Sequence, residues 1–188
     1  MSFPFLRLPS VAFRLATTFM DLEEVIKIGL CSKRSKNLVK HNHIIHFSRK
    51  PILKMTLATL SSSIGVRYSG DLEEVFFVLS NLSNQPSDRT AQEWKVNGLS
   101  VPVLSSMRLG YEMYFRDRLT GTKELVTFLT DLLNVPIQKI SITFPYRVSD
   151  QQDLVDWVMS RQSTIHSLQM DGRCWDPKEL HYFLINGK

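Results

Sequence analysis

His41, His43 and His46 are spaced H-x-H-x-x-H, and imidazole is a side chain well suited to zinc or nickel. On a strand that spacing puts His41 and His43 on one face and His46 on the other. With no fourth ligand nearby in sequence, the expected setting is a solvated strand edge, and no metal is assigned. Cys174 with His166 and Asp171 or Asp176 holds the residue types of a Cys-His-Asp nucleophilic group, but the spacing is too local to fix their geometry and nothing marks an oxyanion hole. Lys33, Arg34, Lys36 and Lys40, with Arg49 and Lys50, could grip phosphates; cations favourable to a helix C-terminus explain the run equally well, and no aromatic-interleaved or helix-turn-helix pattern accompanies it. Gly98, Gly110 and Gly121 are isolated, so there is no Walker loop and no dinucleotide fingerprint. No catalytic residue and no cofactor follow from these patterns, and a non-enzymatic protein is expected. Trp94, Tyr111, Tyr114, Phe115, Trp157 and Trp175 are expected mostly in the core, with Tyr111, Trp175 or Tyr182 as candidates to face a protein partner.

Those residues lie on a chain of 188, with 43% hydrophobic and 22% charged side chains, a globular composition. Arg7, Arg14, Asp21 and Lys27 interrupt the most apolar early stretch, so no run reaches the ~18–20 apolar residues that cross a bilayer. Two cysteines are too few for a disulfide scaffold, which points to a reducing compartment, the cytoplasm, the nucleus or both. The first twenty residues are basic, with no acid before Asp21, as in a mitochondrial presequence, but Pro4 and Pro9 break that helix. Residues 1–60 hold ten Lys/Arg against three acids, and the remaining 128 hold 13 against 15. A basic first third joined to a near-neutral remainder predicts two modules, the first meeting something acidic.

The elements follow from periodicity. Pro9 suits the first position of a helix, and Val11, Ala12, Leu15, Ala16 and Phe19, widened by Phe13 and Met20, predict an amphipathic helix over 10–20. Asp21 with Glu24 is a capping box that starts a second helix at Leu22, running through Val25, Ile26 and Ile28 to Cys31. Ser32 caps a third, with Leu38 and Val39 inward. The period then changes to two: His43, Ile45 and Phe47 alternate, as do Leu53, Met55 and Leu57 against Ile52, Lys54 and Thr56, and 64–68 reads as a further strand. Asp71 with Glu74 repeats the capping device and predicts a helix over 71–82. The polar loop 83–92 is the expected internal boundary, and Asn97-Gly98 between Trp94–Val96 and Leu99–Leu104 predicts a hairpin.

The last third repeats itself. Helices expected at 123–133, 151–161 and 177–185 share a phrase: Glu124-Leu125-x-x-Phe128-Leu129, Asp153-Leu154-x-x-Trp157-Val158 and Glu179-Leu180-x-x-Phe183-Leu184, with strands at 140–144 and 167–170 between them. A strand-helix unit of 26 to 29 residues has the period of a short leucine-rich-repeat-like solenoid. The fold class expected is therefore mixed α/β.

Leu8-Pro9, the two amphipathic helices and Leu30-Cys31-Ser32-Lys33-Arg34-Ser35-Lys36 resemble an F-box over residues 3–40, in the variant of the nematode-expanded F-box families. Trp94-Lys95-Val96-Asn97-Gly98, Val101-Pro102-Val103, Tyr114-Phe115-x-Asp117 and Thr120-Gly121 through Leu133 resemble the F-box-associated type 2 domain that follows in those families, here over 93–188 and shortened at its C-terminal end. Residues 41–92 are then a strand-rich connection with one helix. The resemblance implies a substrate-recruiting subunit of an SCF-type cullin ubiquitin ligase. The F-box would dock on a Skp-type adaptor, itself joined to a cullin scaffold, and the second domain would hold an unidentified client. It implies adaptor contact at Leu8 and Pro9, with Val11, Phe13, Met20, Val25, Ile26 and Leu30 on the helices that meet or support it. A small helical module with surplus apolar positions leaves a patch for a partner to cover, and its basic charge would aid encounter with an acidic adaptor. Ala16-Thr17 stands where such families carry a large aliphatic pair, a departure expected to weaken the contact. The alternatives are a basic nucleic-acid-binding module and a truncated F-box protein that binds the adaptor but recruits no client.

Overall fold

In a computed structural model the described residues are 8–42, 50–58, 61–70, 74–87, 89–106, 110–143 and 148–171. Three helices come first: α1 (Ser10–Thr18), α2 (Leu22–Cys31) and α3 (Lys33–Asn42). Asp21 accepts from the Glu24 N–H at 2.7 Å while the Glu24 carboxylate accepts from the Asp21 N–H at 3.1 Å, the predicted capping box. The Ser32 hydroxyl accepts from the Ser35 N–H at the start of α3, and Lys40 and His41 sit in its last turn, where the helix dipole favours positive charge.

Strands β1 (Pro51–Leu57), β2 (Ser62–Tyr68), β3 (Val75–Asn81), β4 (Gln92–Val96), β5 (Leu99–Ser106), β6 (Gly110–Phe115), β7 (Ile137–Thr143) and β8 (Ser167–Asp171) form one sheet in the order β4-β5-β6-β3-β2-β1-β7-β8. Helix α4 (Arg118–Leu133) links β6 to β7, and α5 (Val148–Arg161) links β7 to β8. The fold is mixed α/β, with an open sheet. Asn97 (φ 48°) and Gly98 (φ 90°) make the expected two-residue hairpin turn between β4 and β5, because left-handed backbone at both positions matches the strand twist.

The register carries one apolar stripe across the sheet. Leu53 pairs with Val66, Met55 with Ile64 and Ile140, Ile64 with Phe77, Phe77 with Tyr111, and Leu79 with Met113; all are buried. Directly paired residues share a face, so this face must be covered, and all five helices add residues to the core, α1 and α3 through Phe13 and Val39 and the rest from α2, α4 and α5. The opposite face holds Lys54, Phe76, Val78, Glu112 and Lys139, which are half-buried or exposed. Helix α4 crosses from β6 over β3, β2 and β1 to β7. That is four strand spacings, about 19 Å, and a 16-residue helix is about 24 Å long. Asp117 caps its start by accepting from the Leu119 and Thr120 N–H groups, which places the first turn five residues before the predicted 123. Asn134, in left-handed conformation (φ 52°), ends it, as helix C-termini commonly require.

One expectation is corrected. The helix predicted over 71–82 is strand β3 from Val75: Val75-Phe76-Phe77-Val78-Leu79 is β-branched and aromatic, Phe77 and Leu79 point to the core, and ladders on both sides, to β2 and β6, satisfy its backbone. Asp71 lies outside the described residues, and the Glu74 carboxylate fills the space where a Cβ on Gly65 would sit. Strands β3 and β4, on either side of the loop at 83–92, belong to one sheet, and α2 contributes to the same core cluster. Of the repeat, β7-α5-β8 is a parallel unit of adjacent strands, with Leu154 and Val158 buried. By contrast β6 and β7, on either side of α4, have three strands between them, so the 29-residue offset does not stack neighbouring units as a solenoid does. The third phrase, at 177–185, and the alternation at His43, Ile45 and Phe47 lie outside the described residues.

Gly110 has φ 77°, and a Cβ there would collide with the backbone carbonyl of Phe76. At Gly98, also at positive φ, a Cβ would meet nothing within 4 Å. Gly98→Ala should therefore cost about 1 kcal/mol, the left-handed penalty alone. Gly110→Ala should cost more than about 2 kcal/mol, because the β3–β6 ladder must also shift. Urea denaturation of both variants checks this: equal losses would mean that the close approach at Gly110 is absent.

Candidate functional site

The eight positions implicated in partner contact divide into two groups. Phe13, Val25, Ile26 and Leu30 are 1%, 0%, 1% and 8% exposed and belong to the chain's own core, so they support a surface rather than form one. Leu8 and Met20 are half-buried, and Pro9 and Val11 are exposed. The inward side of α1 is Phe13 and Thr17, and of the predicted apolar stripe Val11, Ala12, Leu15 and Phe19 are exposed. Val11, Leu15 and Phe19 instead stand 77%, 61% and 84% exposed. At four-residue spacing they lie along one side of the helix.

Two residues that sequence reasoning left unassigned, Leu15 and Phe19, thus belong to this surface. The signal was present: α1 has apolar positions around more of its circumference than one buried face can use. Thr17, half of the small pair expected to weaken contact, is 1% exposed and faces the core. Its hydroxyl donates to the Arg14 carbonyl at 2.9 Å, so the small pair leaves the exposed row intact.

Polar links fix the helices to the sheet and α4. The hydroxyl of Tyr111, a residue suggested above to face a partner, is instead turned inward and donates to the Glu23 carboxylate on α2. Lys27 pairs with Glu23 at 2.6 Å and stands 5.5 Å from the Tyr111 ring centre. Lys27 and then Tyr111 hold the Glu23 carboxyl below its usual range, while burial and then Glu23 push the Tyr111 phenol up. Trp94 packs on Tyr111 with ring centres 4.8 Å apart.

On α3 the cations have specific partners. Lys36 pairs with Asp131 of α4 at 2.8 Å, and Lys40 pairs with the same carboxylate. Asn97 of the hairpin turn donates to the Glu124 carboxylate at 2.9 Å and accepts from Lys36 at 3.4 Å. Spacing alone could not reveal Asp131, 91 residues from Lys40.

His41 is exposed, with Nδ1 2.6 Å from the Asn37 carbonyl. His43, His46, Cys174, Trp175, Asp176 and Tyr182 lie outside the described residues. Among the described residues no three His, Cys, Asp or Glu side chains gather as metal ligands, and none of the helices is long and apolar enough to cross a membrane. No protein-family model, curated protein or solved structure matches the chain.

Lys36, then Lys40, holds the Asp131 carboxyl below its ordinary value. A depressed folded-state pKa contributes stability that is present above the unfolded value and is lost as pH falls through the folded one. Asp131→Asn should therefore cost about 1 kcal/mol or less near neutrality, the site being partly screened. The gap should begin to close below about pH 4 and vanish below the folded-state pKa. Chemical denaturation of both chains between neutral and strongly acidic pH checks this; a gap unchanged by acid would mean that charge is not its cause.

Proposed function

We propose that the chain is a substrate-recruiting subunit of an SCF-type cullin ubiquitin ligase. Its α1 surface docks on a Skp-type adaptor, through which it joins a cullin, and the α/β region holds a client protein. The observation that carries this reading is the exposed row Val11, Leu15 and Phe19 beside Leu8-Pro9, on a helix whose other side is anchored by Phe13. Three large apolar side chains in one row are costly to leave in water, and a partner's apolar surface would cover them. The F-box resemblance puts its adaptor contact at this same end of the chain. An F-box formed by α1 to α3 is the finer architecture that goes with it.

Such a subunit works by proximity. Holding the client near a ubiquitin-charged enzyme raises effective concentration without acid-base chemistry in the chain itself. The surplus of lysine and arginine in residues 1–60 speeds encounter with an acidic adaptor. A basic nucleic-acid module is less well supported, because Lys36 and Lys40 are already paired with Asp131.

Capture on an immobilised Skp-type adaptor at moderate salt tests the reading. The native chain should be retained, and both Leu8→Ala/Pro9→Ala and Val11→Glu/Phe19→Glu should be lost. Because Val11 and Phe19 are exposed, the second variant should keep its stability to within about 0.5 kcal/mol. Failure of the native chain to bind, or undiminished capture of a folded Val11→Glu/Phe19→Glu variant, overturns the proposal.

A further inference from the structure

A cavity of about 500 Å3 opens between the end of α2, the start of α3, the β4–β5 turn and α4. Its size is within the range of sites that hold small ligands or peptide side chains. Leu30 and Phe128 give it an apolar lining, and Gly29 adds no side chain. Three lysines are among the residues that line it, Lys33 and Lys36 from α3 and Lys95 from β4. Lys36 is already committed to Asp131 and lies 5.1 Å from the centre of the Phe128 ring. Among the described residues neither Lys33 nor Lys95 has an acidic partner. The nearby acids Asp131 and Glu124 are engaged by Lys36 and Asn97 and are not part of the lining.

From this arrangement we infer that the cavity is a peptide-reading site: it takes an apolar side chain of an extended segment, with flanking Asp or Glu carboxylates meeting Lys33 and Lys95. The inference rests on the client-receptor reading for its biological role and names the chemistry that the client would present. Three features select an acidic peptide. The apolar lining suits a buried anchor side chain, the central element of most peptide and protein recognition. The unpaired cations approach from two different elements, α3 and β4, which suits charges distributed along a chain. Phe128 is 2% exposed and lies beneath Lys36, so it offers no open ring for the base stacking that single-stranded nucleic acid uses. No residue of α1 lines the cavity, so the exposed row Val11, Leu15 and Phe19 is not part of it.

Cys31 is exposed and lines the same cavity, which supplies a local reporter. The full chain is immobilised at about 50 mM salt, where charge pairing is little screened, and a random heptapeptide library displayed on phage is selected on it after clearing on Lys33→Glu/Lys95→Glu. Selected sequences should share one apolar residue flanked by Asp or Glu. A synthetic peptide of the consensus should bind the native chain about ten-fold more tightly than the charge-reversed one, and should slow iodoacetamide alkylation of Cys31, read by peptide mapping. If charge reversal disturbs folding, Lys33→Gln/Lys95→Gln takes its place, with a smaller loss in the same direction. No enrichment, enrichment of neutral or basic sequences, or a consensus peptide that binds both chains equally or leaves Cys31 unprotected overturns the assignment. Peptide binding without adaptor capture would sink the ligase reading and leave the cavity's specificity standing; adaptor capture without peptide binding would do the reverse.

Discussion

The inner face of the sheet is a continuous apolar stripe that must be kept from water, and α4 is the element that covers it. Leu125, Val126, Phe128, Leu129, Leu132 and Leu133 are all buried, more than one side of a helix can offer to a single neighbour. The surplus is taken up by the N-terminal helices. Gly29 on α2 makes the close approach possible, since a Cβ there would sit 2.7 Å from a Leu132 methyl group. On α4's other flank, Gly121 leaves room for the Phe115 ring. Burying a large aliphatic or aromatic side chain is worth about 1.5–3 kcal/mol, so this packing dominates over any single polar contact in the fold.

The polar contacts specify geometry more than they supply stability. Each joins elements far apart in sequence: Tyr111 to Glu23, Asp131 to Lys36 and Lys40, Asn97 to Glu124, and Gln162 to the backbone of Ile137. Exposed ion pairs contribute only about 0–1 kcal/mol, but a hydrogen-bonded pair rejects alternative rotations of one element on another. The links from Glu23 and from Lys36 and Lys40 tie α2 to the sheet and α3 to α4.

A recruiting subunit needs its two binding surfaces in a fixed relation, because proximity between two bound proteins is lost if the bridge flexes. On the proposed reading the adaptor surface is on α1 and the client site is at the α3–hairpin junction, and both draw on one shared core. Binding at one site would then place the other without requiring a conformational change in the chain.

Local chemistry written into short stretches was readable without coordinates. The Asp21–Glu24 capping box, the Asn97-Gly98 turn and the two-residue alternation of β1 each depend on residues within a few positions of one another, so sequence by itself determined them. Three things were decided only by tertiary structure. Strand β3 overrode its apparent capping signal because pairing on both sides and burial of Phe77 and Leu79 outweigh one local hydrogen-bond motif. The outward turn of Val11, Leu15 and Phe19 was set by which face of α1 met the core, and a helix apolar nearly all round leaves that choice to its neighbours. Lys36, Lys40 and Asp131 were brought together by α4's crossing, and the cavity by the meeting of α2, α3, α4 and the hairpin. Contacts across such separations are fixed by how buried faces pack, which sequence spacing does not record.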